Sequence, residues 1–189
     1  MNYNIKKLSS NIFISLIITT SLYSNQKQSM LSSYQNNKFK QACDIGYENF
    51  NKYKKDEEFI SLYAMSCLEA DYINRLATPI AILRNSAESR ANSAYFSVIL
   101  MQKKLLYHAM IDDYDLSSLK LPTTEHVLSK VFDLYVNAGK HKKQDLYRFN
   151  DSDDKNLTYK LYLVDNKNIK KIIIEEFYNS KMIKQHTYW

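Results

Sequence analysis

Four histidines, at positions 108, 126, 141 and 186, are the side chains best suited to proton transfer or metal binding. No two of them have a zinc-ligand spacing such as H-x-x-x-H. His108 and Asp112 are four residues apart and could share a metal ion on one face of a helix. The apolar residues around His108 instead predict that it lies within an apolar helical stripe. We therefore expect no metal site and no cofactor.

An acidic run at residues 151–154 resembles the start of a calcium-binding loop. An EF-hand loop has Gly at its sixth position and Glu at its twelfth. Counted from Asp151, these two positions hold Asn156 and Tyr162. The run is therefore predicted to be a solvated acidic turn.

The chain has two glycines, Gly46 and Gly139, too few for the glycine-rich motifs of nucleotide-binding and hydrolase folds. No serine or cysteine has a base at a diagnostic spacing. We therefore assign no catalytic residue and expect a protein without catalysis. Because catalytic triads are assembled in space, a small periplasmic enzyme stays an alternative, with His108 or His126 as its first candidate residue.

The N-terminal residues have the layout of a secretory signal peptide. Lys6 and Lys7 precede an apolar stretch centred on residues 12–18, which is shorter than the roughly 20 residues that span a bilayer. We predict that residues 1–24 are a signal peptide, cleaved after Ser24. The mature protein would then be periplasmic or secreted, and not an integral membrane protein. The alternative is an uncleaved N-terminal anchor.

The charge pattern excludes nucleic acid as the expected partner. The net charge of +6 falls to +4 when Lys6 and Lys7 leave with the signal peptide. The remaining lysines are interspersed with acidic residues, whereas nucleic-acid-binding proteins concentrate positive charge on one face.

Apolar residues with a period of about 3.6 predict that residues 25–143 form a helical bundle of antiparallel helix hairpins. N-cap residues, whose side chains accept hydrogen bonds from the first N–H groups of a helix, mark where each predicted helix of the bundle begins. The predicted N-caps are Asp56, Thr78, Asn85 and Thr123. Gly139 is predicted to end the last helix in the left-handed conformation.

The longest predicted helix runs from about Asn85 to Ile111. Its predicted buried face comprises Ala87, Ala91, Ala94, Tyr95, Val98, Met101, Leu105 and His108. Residues 25–35, which are polar, are predicted to be frayed.

After residue 143 the apolar period changes to 2, which indicates strands. Strands are predicted at residues 145–149, 157–164, 169–178 and 181–188. Because turn-forming residues link the last three, residues 144–189 are predicted to form an antiparallel β-meander packed on the bundle. The predicted fold class is α+β, with the helices first.

Cys43 and Cys67 are predicted to form a disulfide. An exported chain with an even number of cysteines meets an oxidising compartment, where pairing is permitted. In a helical hairpin that turns near Lys55, both cysteines lie 12 residues from the turn and therefore at the same height. Small neighbours such as Gly46 let the two helices approach to the Cα separation of roughly 4.4–6.8 Å that a disulfide needs. The alternative is two free, buried cysteines.

The spacing of apolar and small residues in the first hairpin resembles the helix-turn-helix rhythm of tetratricopeptide-type repeats. The resemblance covers about residues 36–80 and rests on Phe39, Ala42, Gly46, Phe50, Phe59, Tyr63 and Ser66. It implies a helical scaffold that binds peptide segments or partner proteins, and it assigns no binding residue.

These observations predict an exported soluble helical scaffold that interacts with another protein or peptide of the cell envelope. A small periplasmic enzyme is one alternative. A second is a carrier that holds an apolar ligand between the bundle and the meander.

Overall fold

The computed structural model describes residues 26–139 and 144–189. In these ranges, six helices are followed by a four-stranded antiparallel sheet, which confirms the predicted α+β fold class. The chain divides into two compact units, one that ends at Ala70 and one that comprises Asp71–Trp189. Among the described residues, no helix is both long and apolar enough to cross a membrane. The predicted signal peptide and its cleavage site after Ser24 lie outside the described residues.

The first unit contains helix α1 at residues 26–35, α2 at Phe39–Tyr53 and α3 at Glu57–Glu69. The prediction that residues 25–35 are frayed is wrong, because α1 is helical and its Met30 is fully buried. Lys27 adds an ionic contact to the start of α3, where its Nζ atom lies 3.1 Å from Asp56 Oδ2 and 2.7 Å from Glu58 Oε2. Apolar and ionic contacts therefore fix α1 within its unit.

The hairpin of α2 and α3 depends on a helix cap and on a close approach at Gly46. Asp56 caps α3, as predicted, since its Oδ1 atom accepts a hydrogen bond from Phe59 N at 3.0 Å. A Cβ atom added to Gly46 would lie 2.4 Å from Cδ2 of the buried Tyr63. The two helices therefore approach each other more closely at this point than a larger residue would permit.

The predicted disulfide between Cys43 and Cys67 is confirmed, and it links α2 to α3. The two Cα atoms are 4.7 Å apart, and both residues are fully buried. Ala42 and Ala64 beside them are fully buried too, in keeping with the small residues that a close helix pair requires. The bond is compatible with an oxidising compartment.

The second unit begins with a 3-10 helix at Ile73–Leu76 that continues into the short helix α4 at Ala77–Ile82. The long helix α5 at Ala87–Asp112 and helix α6 at Val127–Asn137 follow. Gly139, two residues after α6, has a φ of 81°, which confirms its predicted left-handed conformation.

The predicted N-caps Asn85 and Thr78 are wrong. Helix α5 is capped by Ser86 rather than Asn85, because the Ser86 Oγ atom accepts a hydrogen bond from Ser89 N at 3.0 Å. Thr78 caps no helix, because the 3-10 helix runs directly into α4 at Ala77 and leaves no free helix start at this point.

The predicted buried face of α5 is also wrong. Met101 is 48% exposed and His108 is exposed. The buried residues of the helix are Ser89, Phe96, Ile99, Gln102, Lys103, Leu106, Ala109 and Met110. Apolar residues occur on several sides of α5, and alanine suits a buried or an exposed face. The sequence therefore offered more than one possible stripe.

The sheet is a meander in the order β1-β2-β3-β4, with all neighbours antiparallel. Its strands are β1 at Leu146–Asn150, β2 at Leu157–Asn166, β3 at Ile169–Tyr178 and β4 at Lys181–Tyr188. The bounds agree with the predicted strands to within two residues. Positive φ angles occur in the last two connections, at Lys167, Asn168, Asn179 and Ser180, as expected for tight hairpin turns.

Side chains of α5 and α6 contact the sheet within the second unit. The rings of Tyr135 on α6 and Tyr147 on β1 are 5.3 Å apart. On α5, the Tyr107 hydroxyl donates a hydrogen bond to Lys170 O at 2.8 Å. Ile172, Ile173 and Ile174 are all buried, so both faces of β3 are covered.

Candidate functional site

The second unit contains a cavity of about 350 Å³ that is bordered by a buried lysine, and we call it the Lys103 pocket. Its lining residues are Asp71, Tyr72, Ile73, Asn74, Arg75, Lys103 and Trp189. The volume lies near the lower end of the range for small-molecule sites. Basic, acidic, amide, aromatic and aliphatic groups meet in this pocket, which is the composition expected of a site for a small polar ligand.

Three segments that are distant in sequence build the pocket. Asp71 has a φ of 64°, a left-handed conformation that redirects the chain into the 3-10 helix, on which Asn74 and Arg75 lie. Lys103 comes from the middle of α5. Trp189 follows directly after β4. The site therefore depends on packing of the 3-10 helix, α5 and the sheet.

Lys103 holds the main-chain oxygen of Trp189 together with Asn74. The Lys103 Nζ atom donates hydrogen bonds to this oxygen and, at 3.3 Å, to Asn74 Oδ1. Asn74 Nδ2 donates to the same Trp189 oxygen at 2.7 Å. A charged donor and an amide donor thus converge on one oxygen atom.

Burial makes the Lys103 ammonium unusual. The residue is 1% exposed, and desolvation, with a smaller contribution from the charge of Lys104, lowers its pKa from 10.5 to about 8. In the part of the chain that the structure describes, no Asp or Glu side chain forms an ion pair with it. At neutral pH the pocket therefore contains a mostly charged ammonium whose partners are a main-chain oxygen, an amide oxygen and the Tyr107 ring, whose centre lies 5.2 Å from Lys103 Nζ.

Two further cations lie over aromatic rings at this site. The Arg75 guanidinium is 4.7 Å from the centre of the Tyr72 ring. Lys171 Nζ is 4.9 Å from the centre of the Trp189 ring, and Trp189 is 46% exposed. Three cationic side chains, Lys103, Arg75 and Lys171, therefore lie at or beside the pocket.

Asp71, the acidic residue that borders the pocket, is engaged by a buried histidine. His186 Nδ1 lies 2.7 Å from Asp71 Oδ1, and its Nε2 lies 2.9 Å from Glu176 Oε1. Burial alone would lower the pKa of His186, but the hydrogen bonds to both carboxylates and the charge of Asp71 outweigh it and raise the pKa above 6.5. A carboxylate at each ring nitrogen fits an imidazolium that donates both of its protons.

His126 and His108, the candidates for a catalytic histidine, do not line the Lys103 pocket. His126 caps α6, where Thr123 was predicted, and its Nδ1 atom accepts a hydrogen bond from Leu128 N at 3.2 Å. Burial, and after it the charge of His186, lowers the pKa of His126 to about 4, so its ring is neutral and can act as a cap. An imidazole acceptor replaces the hydroxyl acceptor that the prediction assumed.

The expectation that His108 lies within an apolar stripe is wrong. Its Nδ1 atom lies 2.9 Å from Asp112 Oδ2, and its ring stacks on Tyr114 with centres 4.6 Å apart. A metal site on this pair would need further ligands, and the described residues contain no group of three or more His, Cys, Asp or Glu that could hold a metal ion.

The run at residues 151–154 forms a turn around one carboxylate. Asp151 Oδ1 accepts hydrogen bonds from Asp153 N at 2.9 Å and Asp154 N at 3.0 Å. Its other oxygen, Oδ2, accepts one from the Tyr159 hydroxyl at 2.6 Å. The acidic turn is thus ordered by its own backbone and by one tyrosine.

The sequence reasoning did not identify Lys103, although the sequence contains a signal for it. Phe96, Ile99, Leu106 and Met110 recur at helical spacing and are buried. Lys103 occupies the position in this series between Ile99 and Leu106. A lysine at the centre of an apolar stripe is a strong indication of a buried charge. The predicted buried face of α5 is a different one, which does not include Lys103.

The chain matches no protein-family model, no curated protein and no solved structure. The resemblance of residues 36–80 to tetratricopeptide-type repeats stays a prediction.

Proposed function

We propose that the protein is an exported, non-catalytic interaction protein, and that its second unit binds an anionic group of an envelope protein or peptide in the Lys103 pocket. The observation that carries this proposal is the buried Lys103 ammonium at the edge of an open cavity. Removing an ammonium from water is unfavourable unless a partner compensates for it. Within the described residues no acidic side chain does so, and an anionic ligand would.

The geometry supports binding more than acid–base catalysis. A general base needs a free acceptor within reach of the substrate. Both ring nitrogens of His186 are within hydrogen-bond distance of carboxylates, and Asp71 receives one of these bonds. Asp71 at the pocket and the neighbouring His186 are therefore engaged with each other.

The same lining disfavours an apolar-ligand carrier as the function of this pocket. A site for an apolar ligand would bury hydrocarbon against hydrocarbon, whereas this cavity is bordered by Asp71, Asn74, Arg75 and Lys103. An apolar ligand would remove these groups from water without pairing them.

Export is supported by the Lys6–Lys7 start with its short apolar stretch and by the disulfide, which is compatible with an oxidising compartment. The test is the intact mass of protein expressed from the full-length gene in a Gram-negative host. We expect a periplasmic product that begins near Asn25. A cytosolic product that retains residues 1–24 would contradict export.

The binding proposal is tested by crosslinking in cells. A photoreactive benzophenone amino acid replaces Tyr72, which lines the pocket, and a second protein carries it at the exposed Tyr178 as a positional control. We expect a specific adduct from position 72 but not from position 178. The adduct should disappear in Lys103→Met and persist in Lys104→Met.

The Lys104→Met variant is a matched control, because it removes the same charge from the neighbouring, exposed position of the same helix. An adduct that persists in Lys103→Met would show that the buried ammonium does not bind the partner. The absence of any adduct at position 72 would also reject the pocket as the binding site.

A small enzyme is the second candidate function, favoured by the lowered pKa of Lys103, about 8. An amine with this pKa is neutral more often at neutral pH than an ordinary lysine, and a neutral amine can attack a carbonyl carbon to form an imine with release of water. Borohydride would reduce such an imine to a stable secondary amine. A retained mass increase on Lys103 after treatment with an aldehyde and borohydride, absent in Lys103→Met, would favour this candidate.

A further inference from the structure

We propose that the outer edge of β4 binds an extended segment of another protein in which acidic and apolar residues alternate, and that this segment adds a further strand to the sheet. The inference goes beyond the proposed function, because it concerns a second surface that does not depend on the Lys103 pocket. It also names the chemistry of the partner.

Strand β4 is an edge strand whose outer side has open backbone groups. It is the last strand in the order β1-β2-β3-β4. Within residues 26–139 and 144–189, no backbone hydrogen bond joins β4 to a segment other than β3. The residues from Lys181 to Gln185 are all exposed. Exposed N–H and C=O groups along such an edge can form hydrogen bonds with an added strand.

A shift in register places the two lysines of this edge on one face of the sheet. Lys181 pairs with Tyr178, and Lys184 pairs with Glu176. Tyr178 and Glu176 are two positions apart on β3, so their side chains lie on the same face. The lysines paired with them therefore share that face. Without the bulge at Glu176, residues three positions apart on β4 would lie on opposite faces.

Neither of these lysines has an ionic partner in the part of the chain that the structure describes. Glu176, which is opposite Lys184, is engaged by His186, whose Nε2 atom lies 2.9 Å from Glu176 Oε1. The edge therefore presents two positive charges on one face. Acidic side chains of an added strand would lie beside them and attract them.

The opposite face of the edge is uncharged and partly apolar. Met182 pairs with Phe177 on this face and is 52% exposed. Gln185 lies on the same face, because it pairs with Glu175, two positions from Phe177. Apolar side chains of an added strand would cover Met182 and remove it from water. Because a strand alternates its side chains between two faces, the complementary segment alternates acidic and apolar residues.

A second copy of this chain fits the edge less well than an acidic segment does. Antiparallel pairing of two β4 strands would bring Lys181 and Lys184 of both copies onto one face, where like charges repel. Lysines on an edge strand hinder self-association for this reason. An acidic segment replaces the repulsion by attraction.

The probe is an acetylated and amidated heptapeptide in which glutamate and valine alternate. It is titrated into the isotope-labelled protein and followed by NMR. We expect saturable binding, with shifts and slowed amide exchange concentrated in β4, because outward N–H groups become hydrogen-bonded. A peptide of the same composition with its glutamates grouped before its valines should bind about tenfold more weakly or worse. The same loss is expected when two adjacent central residues are N-methylated, which blocks both edges of the peptide.

Charge reversal locates the site. Lys181→Glu combined with Lys184→Glu should weaken binding of the acidic peptide by about tenfold or more. The matched control is Lys155→Glu with Lys167→Glu, which changes the charge equally in exposed turns of the same sheet and should leave the affinity nearly unchanged. An alternating lysine–valine peptide should bind the edge variant and not the wild type. Far-UV circular dichroism verifies that each variant is folded.

Each contrary result overturns the proposal in a defined way. Equal binding of the alternating, grouped and N-methylated peptides would reject strand addition, and equal loss in both double variants would reject the edge as the site. Absence of peptide binding would reject the partner class. A dimer that sedimentation detects without peptide, and that the edge variant disrupts, would assign the edge to a second copy. Binding to phosphatidylglycerol vesicles but to no peptide would assign it to a membrane.

These results are distinguishable from failure of the proposed function. The crosslink from position 72 depends on Lys103, which none of the edge variants changes. Position 178, the control for that crosslink, is on β3, and β4 separates it from an added strand.

Discussion

Replacing the buried Lys103 by Met should change how the stability of the protein depends on pH. The pKa of Lys103 is lowered from 10.5 in the unfolded chain to about 8 in the folded protein. When folding lowers the pKa of a basic group, the group does not reduce the stability at a pH above its unfolded pKa. As the pH falls from the unfolded pKa to the folded pKa, the reduction in stability grows, and below the folded pKa it is complete. The charged lysine therefore reduces the stability of the wild-type protein at neutral pH.

The magnitude follows from the two pKa values. At 1.36 kcal/mol per pKa unit, the shift from 10.5 to about 8 corresponds to about 3 kcal/mol at pH 7. At about pH 9.5 the lysine is still mostly protonated in the unfolded chain but mostly neutral in the folded protein, so the free energy of deprotonating it, roughly 1.4 kcal/mol, is the reduction that remains. The stability of the wild type relative to Lys103→Met should therefore rise by about 2 kcal/mol between these two pH values.

The assay is urea denaturation of both proteins at each pH, followed by circular dichroism. Because the comparison subtracts the variant, all other titrating groups cancel to first order. Lys104→Met controls for the loss of one positive charge from α5, and its stability relative to the wild type should not change in the same way. A constant difference between the wild type and Lys103→Met across this pH range would refute the reasoning that Lys103 is a desolvated ammonium.

Three further predictions concern other parts of the chain. Reducing the Cys43–Cys67 disulfide, which closes a sequence separation of 24 residues, should lower the free energy of unfolding by about 3 kcal/mol; hydrogen exchange of α2 and α3 measures the loss, and unchanged protection would contradict it. Gly46→Ala should destabilise the fold by about 1–2 kcal/mol in chemical denaturation, because overpacking against Tyr63 exceeds the gain in helix propensity. Folding raises the pKa of His186 above 6.5, so His186 stabilises the protein fully below pH 6.5, and this stabilisation is lost as the pH rises through the folded pKa. In thermal melts His186→Gln should therefore remove the loss of stability over this pH range, and an unchanged loss would speak against it.

The helical hairpin and its disulfide could be predicted because their determinants are local. Asp56 marks the start of α3 by its own side chain, and Cys43 and Cys67 are placed by counting from the turn. The strands were predictable for the same reason, since side-chain alternation and turn residues such as Asn179 and Ser180 act over a few positions. Each of these features depends on residues that are close in sequence.

The helix caps and the face of α5 were not predictable from the same patterns. Asn85 and Ser86 are both good cap residues, and the choice between them depends on which one packing places at the helix start. The buried face of α5 depends on what covers it, and its apolar residues do not form one stripe. Lys103 was overlooked because its burial becomes visible only when Phe96, Ile99 and Leu106 define the core side of the helix.

The candidate site lies beyond sequence patterns for a further reason. Its donors, Lys103 and Asn74, are 29 residues apart, and the oxygen that they bind is 86 residues from Lys103. No spacing rule connects such positions, and each residue alone looks like an ordinary surface amide or cation. A buried lysine is identified by the unfavourable free energy of removing its charge from water rather than by a sequence motif.

This unfavourable free energy of burying Lys103 is also the strongest argument that the pocket has a function beyond stabilising the fold. A methionine at position 103 would continue the apolar side of α5 and would remove a reduction in stability of about 3 kcal/mol at neutral pH. A tether for Trp189 alone does not require this residue, because Asn74 already donates a hydrogen bond to the Trp189 oxygen at 2.7 Å. What the ammonium adds is positive charge at the edge of an open cavity, and hydrogen bonds from an ionised donor are stronger than those from a neutral one. The proposed anionic ligand would approach this charge from the cavity, which the contacts of Lys103 with Trp189 and Asn74 leave open.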